Sequence, residues 1–297
     1  MNRRKFVINS TIGLGGLALV GGLKIYGDSS LTAKVTKNLG TSVDLHSHTT
    51  VTYEGNPNLG ELTKHCINIG LDTLVFTNFV DSRYEDLKNT SVSLGKRYEM
   101  LDLGRLFYVY NGEKILMIIK GQEIPTKGGH ILTIGGVSDI KNYNDLEETL
   151  KEAKDKDAII IADHPFTGVW GGLGRANLDK HLESWDAIET FNSQNIALIP
   201  FLPVLDQRSS NDNAKAFTKE YNLPGVATSD SHRLNEVALS YITFKEKINH
   251  YDSDLAIYDL RKVIKENKFE NVERYNHWGS FVNWAVPFQI KAKLGLI

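Results

Sequence analysis

Residues 43–50 read VDLHSHTT and set two histidines, His46 and His48, two apart at the end of an apolar stretch. A strand alternates its faces, so the two imidazoles should point the same way, with Leu45 and Ser47 opposite. Paired imidazoles add little to a core, but two that converge on one point can ligate a metal ion. His-x-His also arises by chance, so the pair needs company. Residues of similar chemistry follow apolar runs further along: Glu123 after MIIKGQ, His164 after IIIAD, Glu189 in AIET, and Asp230 and His232 after GVATS. They belong either to one shared site or to loops that bond their own backbone.

The elements that must position these groups alternate along the chain. TSVDLHSH reads as a strand, and LGELTKHCINIG as a helix with Leu62, Cys66 and Ile69 on one face and Gly70 as its stop. LDTLVFTN reads as a buried strand. RLFYVYNGEKILMIIKGQEI reads as two strands joined at Asn111-Gly112, the strongest short hairpin signal. HILTIGG is a short strand, and NDLEETLKEAKDKD a helix with Asn144 as N-cap and Glu147 three residues on. AIIIADHP, WDAIETFN and GVATSDSH are three more strands, and SDLAIYDLRKVIKENK a late helix. Repeated strand-then-helix units predict an α/β fold with a parallel sheet closed as a barrel. The polar residues then fall at strand ends, where α/β barrels carry their reactive groups.

The 297 residues carry a formal net charge of −2, which suits an α/β domain and gives no support for a nucleic-acid partner. Cys66 is the one cysteine, which excludes an intrachain disulfide and any multi-cysteine metal site. Ligands would have to be His, Asp and Glu. Residues 1–27 stand apart, with Arg3, Arg4 and Lys5 before an apolar, glycine-rich run from Ile12 to Leu23. That run is short for a spanning helix, which needs about 20 residues, and fits a signal h-region. The paired arginines resemble a twin-arginine export signal. The expectation is an exported protein, periplasmic or tethered by its N-terminus to the outer face of the inner membrane. Residues 28–40 would be a linker and 41–297 a single catalytic domain.

Taken together, DLHSH, GQEI, ADHPF and SDSH resemble, in order and spacing, the motifs of the PHP family, the polymerase and histidinol phosphatase domains. The resemblance covers roughly residues 42 to 270. It implies a distorted (β/α)7 TIM-like barrel of the PHP type, with divalent metals at the C-terminal face and phosphoester hydrolysis as the usual activity. Carried over, it makes His46, His48, Glu123 and Asp230 ligands of a first metal. Glu123 would bridge to a second, held also by His130 and His164. A third would take Glu54, position 79 and His232. The second motif departs from the family's Thr-Asp-His, because here it is Thr77-Asn78-Phe79. A phenyl ring donates no lone pair. Two ions of Zn, Mn or Fe are therefore expected rather than three, with His232 left to hold substrate or protonate the leaving group and Asp230 beside it.

A small-molecule phosphomonoester or diester is the expected substrate. Arg208, Arg233 and Arg175 are the candidates for gripping its anion, since a guanidinium binds phosphate bidentately. A two-metal hydrolase of an amide, carbamate or ester bond, and a metal-binding domain without catalysis, are the competing readings. His65, His181, His250 and His277 lie away from strand ends and read as packing or surface residues.

Overall fold

Period-two rows of apolar residues build the sheet. Val43 and Leu45, Met117 and Ile119, Leu132 and Ile134, and Ile159 and Ile161 turn to one interior with Ala187, Val226 and Ile242. Burying each large aliphatic side chain contributes roughly 1.5–3 kcal/mol, which makes this row pattern the main determinant of strand register. The structure, a computed structural model, describes residues 41–49, 57–78, 98–168, 171–196, 207–249, 252–277 and 279. The strands are β1 (Thr41–Asp44), β2 (Thr73–Phe76), β3 (Glu99–Asp102), β4 (Leu106–Tyr110), β5 (Ile115–Thr126), β6 (Gly129–Ile134), β7 (Ile159–Ala162), β8 (Ala187–Asn192), β9 (Gly225–Thr228), β10 (Tyr241–Phe244) and β11 (Glu270–Val272). The helices are α1 (Leu59–Ile69), α2 (Leu146–Asp155), α3 (Gly174–Lys180), α4 (Arg208–Tyr221) and α5 (Ser253–Lys265).

The sheet runs β11-β10-β1-β2-β5-β6-β7-β8-β9, with the β3–β4 hairpin attached to β5. Pairs β1–β2, β2–β5, β7–β8 and β8–β9 are parallel. Pairs β1–β10, β5–β6 and β6–β7 are antiparallel, which departs from an all-parallel barrel. The long β5 makes this possible: its first half pairs with β2 and β4, its second half with β6. The two ends of the sheet then meet. His48 N–H donates to Ser231 O at 2.9 Å, and Ser47 bridges Ser231 in parallel fashion. The Asn271 side chain links β11 to β9 through Ala227 N and Gly225 O. The result is an α/β fold around a nearly closed, barrel-like sheet.

One end of the barrel is plugged by α5, whose Ala256, Ile257, Leu260, Val263 and Ile264 join the interior cluster. α1 covers the outer face of β2, β4 and β5, and α2, α3 and α4 cover β6, β7 and β8. α1 starts in a capping box between Asn58 and Glu61 and stops at Gly70, whose φ of 82° is the left-handed conformation glycine adopts freely. α2 begins one residue later than the sequence suggests: Asp145, not Asn144, takes the N-cap position, and its side chain makes no capping bond. The hairpin predicted at Asn111-Gly112 is present but wider, closed by Asn111 N–H to Lys114 O. Among the described residues no helix is long and apolar enough to cross a membrane. The proposed export segment and linker lie outside the described residues.

Candidate metal centre

β1 ends at Asp44, so His46 and His48 are not presented by strand alternation as their spacing suggests. They sit just beyond the strand, on chain held by Asp44. That buried carboxylate accepts from Ser229 N, Ser229 Oγ, Ala238 N and His46 N, which pins the exit of β1 to the exit of β9. Asn78 fixes the next turn: its Oδ1 accepts from Thr49 N at 2.9 Å and its Nδ2 donates to Thr49 Oγ1 at 2.8 Å. Glu123 continues the inward row of Met117 and Ile119 along β5, and His130 that of Leu132 and Ile134 on β6. His164 and Asp230 hold positive φ angles of 23° and 48°, conformations seldom adopted without glycine. Asp230 is fixed there by Asn192 Nδ2, which donates to its Oδ2 at 3.1 Å.

These residues converge on two positions that share Glu123. At the first, His46 Nε2, His48 Nε2, Glu123 Oε2 and Asp230 Oδ1 approach one another. His46 Nε2 is 3.1 Å from His48 Nε2, 3.2 Å from Glu123 Oε2 and 3.3 Å from Asp230 Oδ1. His48 Nε2 is 3.1 Å from each of the two carboxylate oxygens. A tetrahedron with ligand bonds of about 2.0–2.1 Å has edges of about 3.3 Å, so the spacing and the two-imidazole, two-carboxylate chemistry fit one divalent cation. At the second, Glu123 Oε1 lies 2.6 Å from His130 Nδ1 and 3.4 Å from His164 Nε2. Asp163 Oδ2 lies 3.0 Å from His164 Nε2. Glu123 therefore offers one oxygen to each position. The clusters of His, Asp and Glu at both can hold metal ions.

The electrostatics follow from this crowding. Burial pushes Glu123 up, but hydrogen bonds from His130, His164, His46 and His48 outweigh it and hold the carboxyl well below its usual range. Asp230 is only partly buried; desolvation pushes its carboxyl up, but the charge of His46 with hydrogen bonds from His232 and His48 outweighs it and holds it well below its usual range. Burial opposes charge on His46, His48 and His164, yet the surrounding carboxylates raise all three. His232 differs: burial and the neighbouring His48 push it down to about 4. Its ring stacks on His48 with centroids 4.4 Å apart, and its backbone N–H donates to the buried Glu236.

Sequence reasoning places Glu189 at a strand end without giving it a part, and gives Asp163 none. Glu189 Oε1 faces His46 Nδ1 at 3.1 Å and accepts from Thr228 Oγ1; its Oε2 accepts from His164 N at 2.8 Å and Asn192 Nδ2 at 3.0 Å. It thus holds His46 with Nε2 turned to the first position, the carboxylate–histidine arrangement that orients metal ligands. Asp163 is 0% exposed, and both its oxygens accept no hydrogen bond. Burial pushes its carboxyl well above the usual range. The signal for both residues is periodicity: Asp163 follows Ile159 and Ile161, and Glu189 follows Ala187, on the inward face. Gly171 completes the second position. Its carbonyl accepts from His130 N at 2.8 Å, and a Cβ there would lie 2.5 Å from His130 Nε2.

The three arginines separate. Arg175, offered above as an anion grip, is ion-paired: its guanidinium binds Asp179 and Glu220 and lies over the Phe217 and Tyr221 rings. Arg208 is exposed at the first turn of α4, and Arg233 is partly buried beside His232. Glu54 and Phe79, on which the third ion turns, lie outside the described residues.

Residues 208–268, from α4 through the Asp230–His232 motif to α5, match the family model described as PHP-associated. The resemblance carried by the four motifs thus holds where the last of them falls. An uncharacterised protein of Methanocaldococcus jannaschii is 28% identical over 156 residues, covering 51% of this chain and 62% of that protein. The match therefore spans less than two thirds of the archaeal relative's length. Among solved structures the chain is similar to PsfC from Pseudomonas syringae PB-5123, with a TM-score of 0.56 at 14% identity over 88% of this chain and 100% of PsfC. It is also similar to the lesion-specific endonuclease PfuEndoQ from Pyrococcus furiosus, with a TM-score of 0.49 at 18% identity over 76% of this chain and 56% of that one. The PsfC likeness bears on the fold.

Proposed function

We propose that the chain is an exported, metal-dependent hydrolase that cleaves small phosphomonoesters or diesters at a pair of divalent cations. The observation that carries this reading is Glu123, a buried carboxylate whose two oxygens each face a separate pair of imidazoles. His46, His48 and Asp230 would hold the first cation with Glu123, and His130 and His164 the second. Two cations so held would supply a water acidic enough to act as nucleophile near neutral pH and would polarise the scissile ester. The chain's own residues do the rest. Glu189 and Asn192 lock His46 and Asp230, so the ligand atoms need no reorganisation when substrate arrives. His232, packed flat on His48 beside the first position, is the candidate to contact bound substrate. Arg233 beside it, and Arg208 on α4, are the remaining candidates for the anion.

Arg175 being spent on Asp179 and Glu220 leaves fewer cations for a polyanion, which favours a second reading, hydrolysis of an ester, amide or carbamate by the same pair. Export rests on Arg3, Arg4 and the apolar run after them, and a small-molecule substrate with no nucleic-acid partner on the near-neutral net charge. The deciding experiment is a panel of phosphomonoesters, phosphodiesters, carboxylic esters and carbamates, assayed with Mn²⁺ or Zn²⁺ against chelated enzyme. Metal-dependent turnover confined to phosphoesters supports the first reading. Turnover confined to carboxylic esters or carbamates supports the second, and none at all overturns both.

A further inference from the structure

We propose that Asp163 is a ligand of the second cation, which gives that position a carboxylate of its own beside the shared Glu123. The inference rests on the two-cation reading and extends it to a residue outside the four-motif ligand set. Buried carboxylates elsewhere in this protein show what a structural role looks like. Asp44 and Glu189 are each 0–1% exposed and each meet four donors or imidazole nitrogens. Asp163 is as deeply buried, yet no backbone, hydroxyl or amide donor reaches it, and it faces only two imidazole nitrogens, His164 Nε2 at 3.0 Å and His46 Nδ1 at 3.4 Å. A carboxylate this deeply buried, with imidazoles as its only partners, is unfavourable unless a further cation compensates it.

The surroundings say where that cation belongs. Asp163 Oδ2 is 3.0 Å from His164 Nε2, which is itself 3.4 Å from Glu123 Oε1, the oxygen facing His130. Asp163 Oδ1 lies 3.4 Å from His46 Nδ1, but that nitrogen is nearer to Glu189 Oε1, at 3.1 Å. One ligand atom from each of Glu123, His130, Asp163 and His164 falls within 4.8 Å of the others. The side chain reaches this point because it extends the inward row of Ile159 and Ile161 past the end of β7. With Asp163 included, the second position becomes a counterpart of the first: two imidazoles, one private carboxylate and the shared Glu123. Two full negative charges beside each cation, counting Glu123 for both, suit Mn²⁺ or Fe²⁺ as well as Zn²⁺.

The test uses the full chain, stripped with chelator and reloaded with Mn²⁺, as wild type and as Asp163→Asn, with Asp163→Ala as a second variant. Bound Mn²⁺ per chain is counted by elemental analysis, and melting temperature is read with and without the ion. The expected result is about two ions in wild type and about one in either variant. Affinity at the weakened position should fall on the order of 100-fold or more, beyond the roughly 10–100-fold typical of groups that only support a ligand. The metal-free variants should melt above metal-free wild type, because a buried carboxyl that only imidazoles face is gone, and their Mn²⁺-induced rise should be smaller. A structural aspartate would give the opposite sign in the metal-free protein. Variants that keep two ions at unchanged affinity, or melt lower without metal, overturn the assignment alone. A wild type that takes up no Mn²⁺ overturns it together with the two-cation reading.

Discussion

Glu189→Gln preserves the shape of the side chain and changes one oxygen into an amino group. Two orientations are open to the new amide. If the amino group takes the Oε2 place, it confronts His164 N–H and Asn192 Nδ2, now 2.8 and 3.0 Å from an acceptor. Two buried donors would lose their partner, at roughly 1–3 kcal/mol each, or about 2–6 kcal/mol together. If it takes the Oε1 place, it faces the Thr228 hydroxyl, which can turn to accept, and His46 Nδ1. His46 must then offer a bare Nδ1, and its proton moves to Nε2, the atom beside Glu123 and Asp230. The second orientation is the cheaper one. The variant should therefore lose only about 1–3 kcal/mol of stability, while the first cation position weakens roughly 10–100-fold because its imidazole lone pair is occupied. Urea denaturation of the metal-free protein measures the first quantity, and titration with Mn²⁺ against a competing chelator the second. A variant that is destabilised yet binds Mn²⁺ as wild type does would refute the view that Glu189 sets the tautomer of His46.

Other outcomes come from the same geometry. The surrounding carboxylates raise His46, His48 and His164 above the ordinary histidine range, so a cation must displace their protons. Those protons are bound below the raised pKa values and released above them, so the Mn²⁺-induced rise in melting temperature should be larger at about pH 8 than at about pH 6; an equal rise at both would contradict it. Arg175→Ala should lower the melting temperature by loosening the α3–α4 contact and leave kcat/KM on any hydrolysed substrate unchanged, and a fall in kcat/KM alone would restore Arg175 to the site. Replacing Arg3 and Arg4 with lysine should leave the protein in the cytoplasm of an export-competent cell; unchanged export would point to another route.

Much of this arrangement is legible in the sequence alone, because local physics dictates it. The helix over 59–69 ends where Gly70 allows a left-handed turn, and the rows at 117–123 and 159–163 can be buried only with period two. The inward position of Glu123 within β5 and the place of Asp163 and His164 just past β7 follow from those rows. Distant pairing sets the features that local pattern does not reveal. β10 and β11 are short and depend on partners far along the chain, and β3, paired only with its neighbour β4, is mostly exposed, so their sequences carry little signal of their own. His46 and His48 look like part of an alternating strand, but Asp44 ends the strand and the closing bond from His48 to Ser231 shapes the segment beyond it. Asp163 and Glu189 stand in the right rows, yet a carboxylate at a strand end looks the same whether donors surround it or none do. Arg175 looks available in the sequence because Glu220, 45 residues away, meets it only once α3 and α4 pack together.

The most direct measurement is diffraction from crystals of the Mn²⁺-loaded protein, collected on either side of the manganese absorption edge. Two anomalous peaks are expected, one among His46, His48, Glu123 and Asp230 and one among Glu123, His130 and His164, with a separate Glu123 oxygen directed to each. A single peak, or two peaks that Glu123 does not join, would contradict the shared-carboxylate centre on which the proposed chemistry depends.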